Sequence, residues 1–188
     1  MGVVTTADFH NGLNFEFDNQ LYTILWFQHH KPGKGGAVMR TKLKNLQTGT
    51  TIEQTFKSGE KFRSIELERI KKQYLYNDGE MYNFMDNETY EQIQISKALV
   101  GEITAKFLKD NTEVQALYLD GKLLSIELPF SVELKVTNTV PGVRGDTVSN
   151  VLKPAIVETG AEVHVPLFIK EGDTIKVDTR TGEYVERV

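Results

Sequence analysis

Lys31, Lys34, Arg40, Lys42 and Lys44 are the residues whose type and spacing could do chemistry. The first two lie in the stretch His29-His30-Lys31-Pro32-Gly33-Lys34-Gly35-Gly36-Ala37. Pro32-Gly33 suits a turn, because Pro pre-sets φ at the second position and Gly tolerates positive φ at the third. Gly35 and Gly36 add backbone freedom without bulk, which leaves Lys34 as the outermost large side chain of a thin tip. Arg40, Lys42 and Lys44 follow at a spacing of two, so on a strand they share one face. No Asp or Glu occurs between Asn19 and Ile52, in a chain of formal charge −4. A lysine in a glycine turn is ordinarily a solvated charge. The missing acids and the cationic strand point instead to a probe aimed at a polyanion.

Other chemistries find no frame. Of the four histidines, His29 and His30 are adjacent. On a strand they point to opposite faces and cannot easily share a metal. Gly33-Lys34 is not a phosphate-binding P-loop: Gln28 stands where the motif needs Gly, and Gly35 where it needs Ser or Thr. No nucleophile, base and orienting group can be named together, so no enzyme, metal or cofactor is expected. The chain has no cysteine, which excludes disulfides and thiolate zinc sites and suits the cytoplasm. Neither a secretory signal nor an apolar run of membrane-spanning length is expected.

The elements that would hold the cations are strands. Residues 20–28 are rich in aromatic and β-branched side chains, and apolar and basic residues alternate over 38–46. With the Pro/Gly loop between them they read as a β-hairpin. Trp26 and Phe27 are expected to pack at its base. Residues 14–18, 51–56 and 60–65 complete five or six short strands, the composition of a small barrel. Strands at 69–76, 81–85 and 90–95 follow. A short helix over 97–108, with Ser96 as N-cap and a break at Gly101, comes next. Strands at 113–119 and 122–128 then meet at Asp120-Gly121, a primed-turn signal. Three strands, a helix and two strands is an OB-fold order. After Pro129, five more strands at 132–136, 151–157, 162–166, 174–177 and 183–188 make a second barrel without a long helix. The fold class is therefore all-β, with three small β-barrel domains in tandem over 1–64, 65–128 and 129–188. Their formal charges are +3, −5 and −2, so one end is basic and the rest acidic.

Two separated blocks carry a resemblance. The first is Lys31-Pro32-Gly33-Lys34-Gly35 with the cationic strand from Arg40 to Lys44. The second is Lys153-x-Ala155-x4-Gly160-x2-Val163-x-Val165-Pro166-x2-Ile169-x2-Gly172. Together, and over the whole length, they resemble the bacterial elongation factor P family. The resemblance names the first unit an SH3-like (KOW-type) barrel followed by two OB-type barrels. It implies a monomeric, non-enzymatic translation elongation factor. Such a factor binds the 70S ribosome beside prolyl peptidyl-tRNA and relieves stalling at consecutive prolines. Lys31, Pro32, Gly33, Lys34, Gly35, Arg40, Lys42 and Lys44 would then meet tRNA, with Lys34 positioning the acceptor end and serving as substrate of a modifying enzyme.

In the third unit, Arg144, Gly145, Asp146, Thr147 and Asn150 form a polar loop whose ordinary reading is a turn. The resemblance makes it a contact to messenger RNA at the E site, with Arg144 on phosphate and Asp146, Thr147 and Asn150 on bases or 2′-hydroxyls. Two alternatives stay open: an elongation-factor-P-like paralogue serving other stall contexts, and a general OB-fold RNA-binding scaffold. The hypusine-bearing archaeal and eukaryotic counterpart fits less well, since it lacks the third barrel.

Overall fold

The computed structural model describes residues 2–31, 36–141 and 151–188. The tip residues Pro32, Gly33, Lys34 and Gly35 lie outside them, as do Arg144, Gly145, Asp146, Thr147 and Asn150. The described chain is mostly β-strand, in three sheets. Its contacts gather into two compact units. Met1–Arg69 with Leu117–Ser125 form one, and Ile70–Ala116 with Ile126–Val188 the other.

The first sheet has the order β1-β6-β2-β3-β4-β5. Its strands are β1 (Gly2–Thr5), β2 (Asn14–Phe17), β3 (Gln20–His30), β4 (Val38–Asn45), β5 (Thr51–Lys57) and β6 (Lys61–Ser64). Period-two alternation decides its faces. On β2, Phe15 and Phe17 turn inward, while Glu16 turns out to Arg63 at 3.2 Å. The core is a nest of aromatic rings: Phe15 lies 5.0 Å from Phe62, and Phe56 lies 4.9 Å from Phe62, both edge-on. That geometry sets a positive ring edge against a negative ring face. Asp18 (φ 49°) and Asn19 (φ 60°) turn β2 into β3. Two consecutive positive φ angles are what a type I′ hairpin turn requires.

A second cluster of this unit joins Leu46 and Ile65 to Leu117. Leu117 lies on β10 (Glu113–Leu119), which belongs to the sheet β11-β10-β7-β8-β9. The other strands of that sheet are β7 (Glu68–Asn77), β8 (Met81–Asp86), β9 (Gln92–Ser96) and β11 (Lys122–Glu127). Asp120 and Gly121, at φ 50° and 76°, close the β10–β11 hairpin as a primed turn. The expected helix is split at Gly101 into α1 (Lys97–Val100) and α2 (Glu102–Phe107). Gly101 sits at φ 83°, where a helix cannot continue. Ser96 does occupy the N-cap position, but its side chain makes no capping hydrogen bond.

The third sheet, β14-β13-β12-β15-β16, contains β12 (Ser131–Thr139), β13 (Leu152–Val157), β14 (Glu162–Pro166), β15 (Thr174–Asp178) and β16 (Tyr184–Arg187). Leu134, Val136, Val165, Ile169, Ile175 and Val177 are fully buried here, and Phe107 from α2 joins them. Among the described residues no helix is long and apolar enough to cross a membrane.

One buried ion pair stands in the second unit. Lys72 Nζ donates to Asp86 Oδ2 at 3.0 Å, with both side chains almost fully covered. Asp86 Oδ1 also accepts from the backbone N–H of Thr89 and of Glu88, each at 2.9 Å. These two backbone donors first, and the Lys72 ammonium after them, hold the carboxyl far below the usual carboxylate range. A depressed folded value means the stabilisation is complete above the unfolded value near pH 4 and is lost as pH falls toward the folded one. Asp86→Asn is therefore expected to lower the urea midpoint strongly at neutral pH. The gap between variant and parent should narrow steadily as the titration is taken into acid; a pH-independent gap would contradict it.

Candidate nucleic-acid interface

The cationic strand β4 is held between β3 and β5 over most of its length. Its burial alternates: Met39, Thr41, Leu43 and Asn45 are buried, while Arg40 and Lys42 are exposed and Lys44 is half-buried. The inward set fixes the strand. Leu43 is fully buried, and Thr41 Oγ1 donates to the Gln54 carbonyl at 2.8 Å. Asn45 Oδ1 accepts from the N–H of Gln47 and of Thr48, both at 2.9 Å, and so shapes the turn into β5. With the inward set fixed, parity sends Arg40, Lys42 and Lys44 to the opposite face.

On that face Lys42 lies across from Glu53, the first acid after the acid-free run, with Nζ 3.4 Å from its carboxylate. Both groups are more than half exposed, so the pair is worth at most about 1 kcal/mol and leaves Lys42 available. Lys31, His29 and His30 are exposed toward the tip end of the hairpin. The structure thus brings Arg40, Lys42 and Lys44 together as expected; Lys34 and its neighbours lie outside the described residues.

Trp26 is a correction. It was expected to pack at the hairpin base, but it is 43% exposed. The reason is a β-bulge. Ile24 pairs with Leu43 and Trp26 with Lys42, so Leu25 is an extra residue on β3. One extra residue reverses the parity of everything beyond it. Ile24 remains inward; Leu25 and Trp26 are both exposed; Phe27 then returns inward opposite Thr41 and packs on the aromatic core. Trp26, Gln28, Arg40, Lys42, Glu53 and Thr55 line a shallow open trough across β3, β4 and β5. Four consecutive apolar residues, Ile24 to Phe27, break the alternation of the strand. That break was the available signal that a parity argument would fail here.

Within the second unit, the residues of the C-terminal block do structural work. Ala155, Val163, Val165 and Ile169 are buried, and Gly160 (φ 84°) and Gly172 (φ 91°) occupy the left-handed region at turns. Lys153, also buried, donates its ammonium to the Val140 carbonyl at 2.7 Å. Among the described residues no group of three His, Asp or Glu could hold a metal ion.

The fold and this face define an all-β protein of KOW-like and OB modules that carries a cationic hairpin on its first module. Comparison with known proteins makes the class specific. Residues 5–62 match the elongation factor P (EF-P) KOW-like domain, residues 67–126 the EF-P OB domain, and residues 132–187 the elongation factor P C-terminal family. An elongation factor P of Endomicrobium trichonymphae is 55% identical over 185 residues, 98% of this chain and all of that one. Those of Acetivibrio thermocellus and Caldanaerobacter subterraneus subsp. tengcongensis are 52% and 54% identical over 186 residues, 99% of this chain and all of theirs. Among solved structures, a translation initiation factor eif-5a family protein from Naegleria fowleri shares the fold. Its TM-score is 0.50 at 14% identity, over 68% of this chain and 98% of that one. The chain belongs to the elongation factor P family, and its role is that of a translation elongation factor.

The bulge makes a stability prediction. Phe27→Ala removes a ring from the aromatic core and is expected to cost about 2–4 kcal/mol in urea denaturation. Trp26→Ala should stay within about 1 kcal/mol of the parent, as at other exposed positions. The opposite order of the two costs would place the indole inside.

Proposed function

We propose that this chain binds the 70S ribosome beside prolyl peptidyl-tRNA and speeds peptide-bond formation where consecutive prolines stall it. The observation that carries the reading is the parity of β4, which directs Arg40, Lys42 and Lys44 to a face opposite the core. Family membership supplies the translational setting. In the proposal, Lys31 and these three cations bind tRNA phosphates and fix register, since phosphate contacts position a protein on nucleic acid. Pro32, Gly33 and Gly35 keep the tip thin, and Lys34 steadies the acceptor end of the tRNA. Proline is conformationally locked and reacts poorly unless its reacting ends are aligned. Holding the acceptor end in a productive pose lowers the entropic part of the barrier, which requires no catalytic group on the factor.

The proposal extends to three domains, at 1–64, 65–128 and 129–188, acting as a monomer in the cytoplasm. Arg144, Gly145, Asp146, Thr147 and Asn150 then meet messenger RNA at the E site through phosphate, base and 2′-hydroxyl contacts. A modifying enzyme lengthens Lys34, which adds reach and hydrogen-bond donors.

The test is Lys34→Ala in a strain lacking the endogenous factor, read with a polyproline reporter. Reporter output should fall to the level of the empty strain, and pauses in ribosome profiles should gather at Pro-Pro codons. Full rescue would remove the tip from the mechanism. Intact-mass measurement of protein from its native host should show an added mass that is lost in Lys34→Ala. An unshifted and fully active protein would dispose of the modification.

A further inference from the structure

We propose that Trp26 is a stacking platform for one unpaired RNA base, whose flanking phosphates lie on Arg40 and Lys42. The proposal rests on the reading that this face meets RNA, and it adds a residue and a ligand chemistry to it. The observations are geometric. The bulge at Leu25 puts Trp26 opposite Lys42, and one pair further along Gln28 lies opposite Arg40. Trp26 is 43% exposed, with Leu25 exposed beside it at 45%. Among the described residues no aromatic ring or guanidinium stacks on the indole. Phe130 and Phe168, by contrast, are exposed rings that each carry an arginine, Arg180 at 5.2 Å and Arg187 at 5.8 Å.

An exposed apolar side chain alone is ordinary. Here the indole stands in a trough across from Lys42 and next to Arg40, where the acid lining it is Glu53, exposed and paired only loosely to Lys42 at 3.4 Å. Charge complementarity selects the occupant. A basic groove interleaved with an aromatic face is the arrangement that grips single-stranded nucleic acid, because phosphates follow the cations and any base offers a π-face. Double-stranded RNA offers no free base for such a platform. A purely apolar protein partner would leave Arg40, which has no ion pair among the described residues, to be desolvated without a counter-charge. Gln28 and Thr55, also lining the trough, supply donors for a ribose or base edge without selecting one base strongly. The platform therefore reads the presence of an unpaired base rather than its identity.

The chain contains a single tryptophan, so its emission reports on this residue alone. The full chain at low ionic strength is titrated with two RNA probes: a stem-loop with a short single-stranded 3′ end, and the same stem-loop with a blunt end. The overhang probe is expected to quench Trp26 emission, and the blunt probe to bind more weakly with little quenching. By anisotropy of the labelled overhang probe, Trp26→Ala should bind about tenfold more weakly. Trp26→Phe should stay close to the parent, which also shows that the fold is intact. Equal quenching by both probes, or unchanged affinity in Trp26→Ala, overturns the platform. Loss of ribosome binding in Trp26→Ala with no quenching by either RNA also overturns it and assigns the trough to a protein partner. The Lys34→Ala variant separates the two readings. Quenching that persists while that variant fully rescues the reporter would sink the tip mechanism and leave the platform standing. A dead Lys34→Ala with no quenching in the parent would do the reverse.

Discussion

The pairing register between β3 and β4 is the constraint on which the cationic face depends. A strand has only two faces, so the choice of which residues are buried also chooses which are presented. Met39, Thr41, Leu43 and Asn45 are held inside by packing and by hydrogen bonds to Gln54, Gln20, Gln47 and Thr48. Nothing further is needed to project Arg40, Lys42 and Lys44 outward. The cationic face is a by-product of a well-specified core, and it inherits the rigidity of that core. The bulge at Leu25 then sets the aromatic content of the two faces separately: Phe27 goes to the core and Trp26 to the cations. A single inserted residue thus accomplishes what would otherwise need two independent strand designs.

Much of this was legible in the sequence, for a physical reason. Alternation, turn chemistry and helix breakers are local, and local signals survive without tertiary knowledge. Asp120-Gly121 read as a primed turn because few other pairs tolerate two positive φ angles. Gly101 read as an interruption for the same reason and divides α1 from α2. The face of Arg40, Lys42 and Lys44 followed from spacing alone. Trp26 was missed because a bulge is a property of two strands: it shows only when Ile24 and Trp26 are matched against consecutive residues of β4. Ser96 was read as a cap from its type, yet its side chain makes no capping bond. The C-terminal block, strong as a family signature, turns out to be buried aliphatic residues and positive-φ glycines. It identifies the chain by how it folds rather than by what it touches.

Charge counts along the sequence need the same correction. The acidic balance of the later residues suggests a surface shaped by repulsion from RNA. Several of those acids are engaged in holding turns. Asp78 accepts from Glu80 and Met81, Asp86 from Glu88 and Thr89, Asp173 from Lys170, and Asp178 from Arg180 and Thr181. The Arg180 side chain, its backbone N–H and that of Thr181 hold the Asp178 carboxyl down to about 2. A carboxylate in that role is spent locally and projects less field than its formal charge implies. The cations of β4 have no comparable structural duty in their exposed members. Arg40 makes no ion pair among the described residues, and Lys42 has only an exposed one. The count thus overstates the negative field of the later residues, while the exposed cations of β4 keep theirs.

This division has a consequence for how surface and stability trade against each other. In the first unit the inward residues carry the packing: Phe15, Phe56, Ile24 and Leu43 are essentially inaccessible to solvent. The outward residues of β3 and β4 contribute little to that packing, because parity keeps them away from it. Removing a cation or the indole therefore leaves the inward hydrogen bonds of Thr41 and Asn45 in place. The cationic face can be altered residue by residue while the scaffold that orients it stays folded. That separation is the ordinary consequence of a half-buried strand, whose alternate side chains point to opposite faces. It holds here because the bulge removed the one large aromatic, Trp26, that an unbroken register would have committed to the interior.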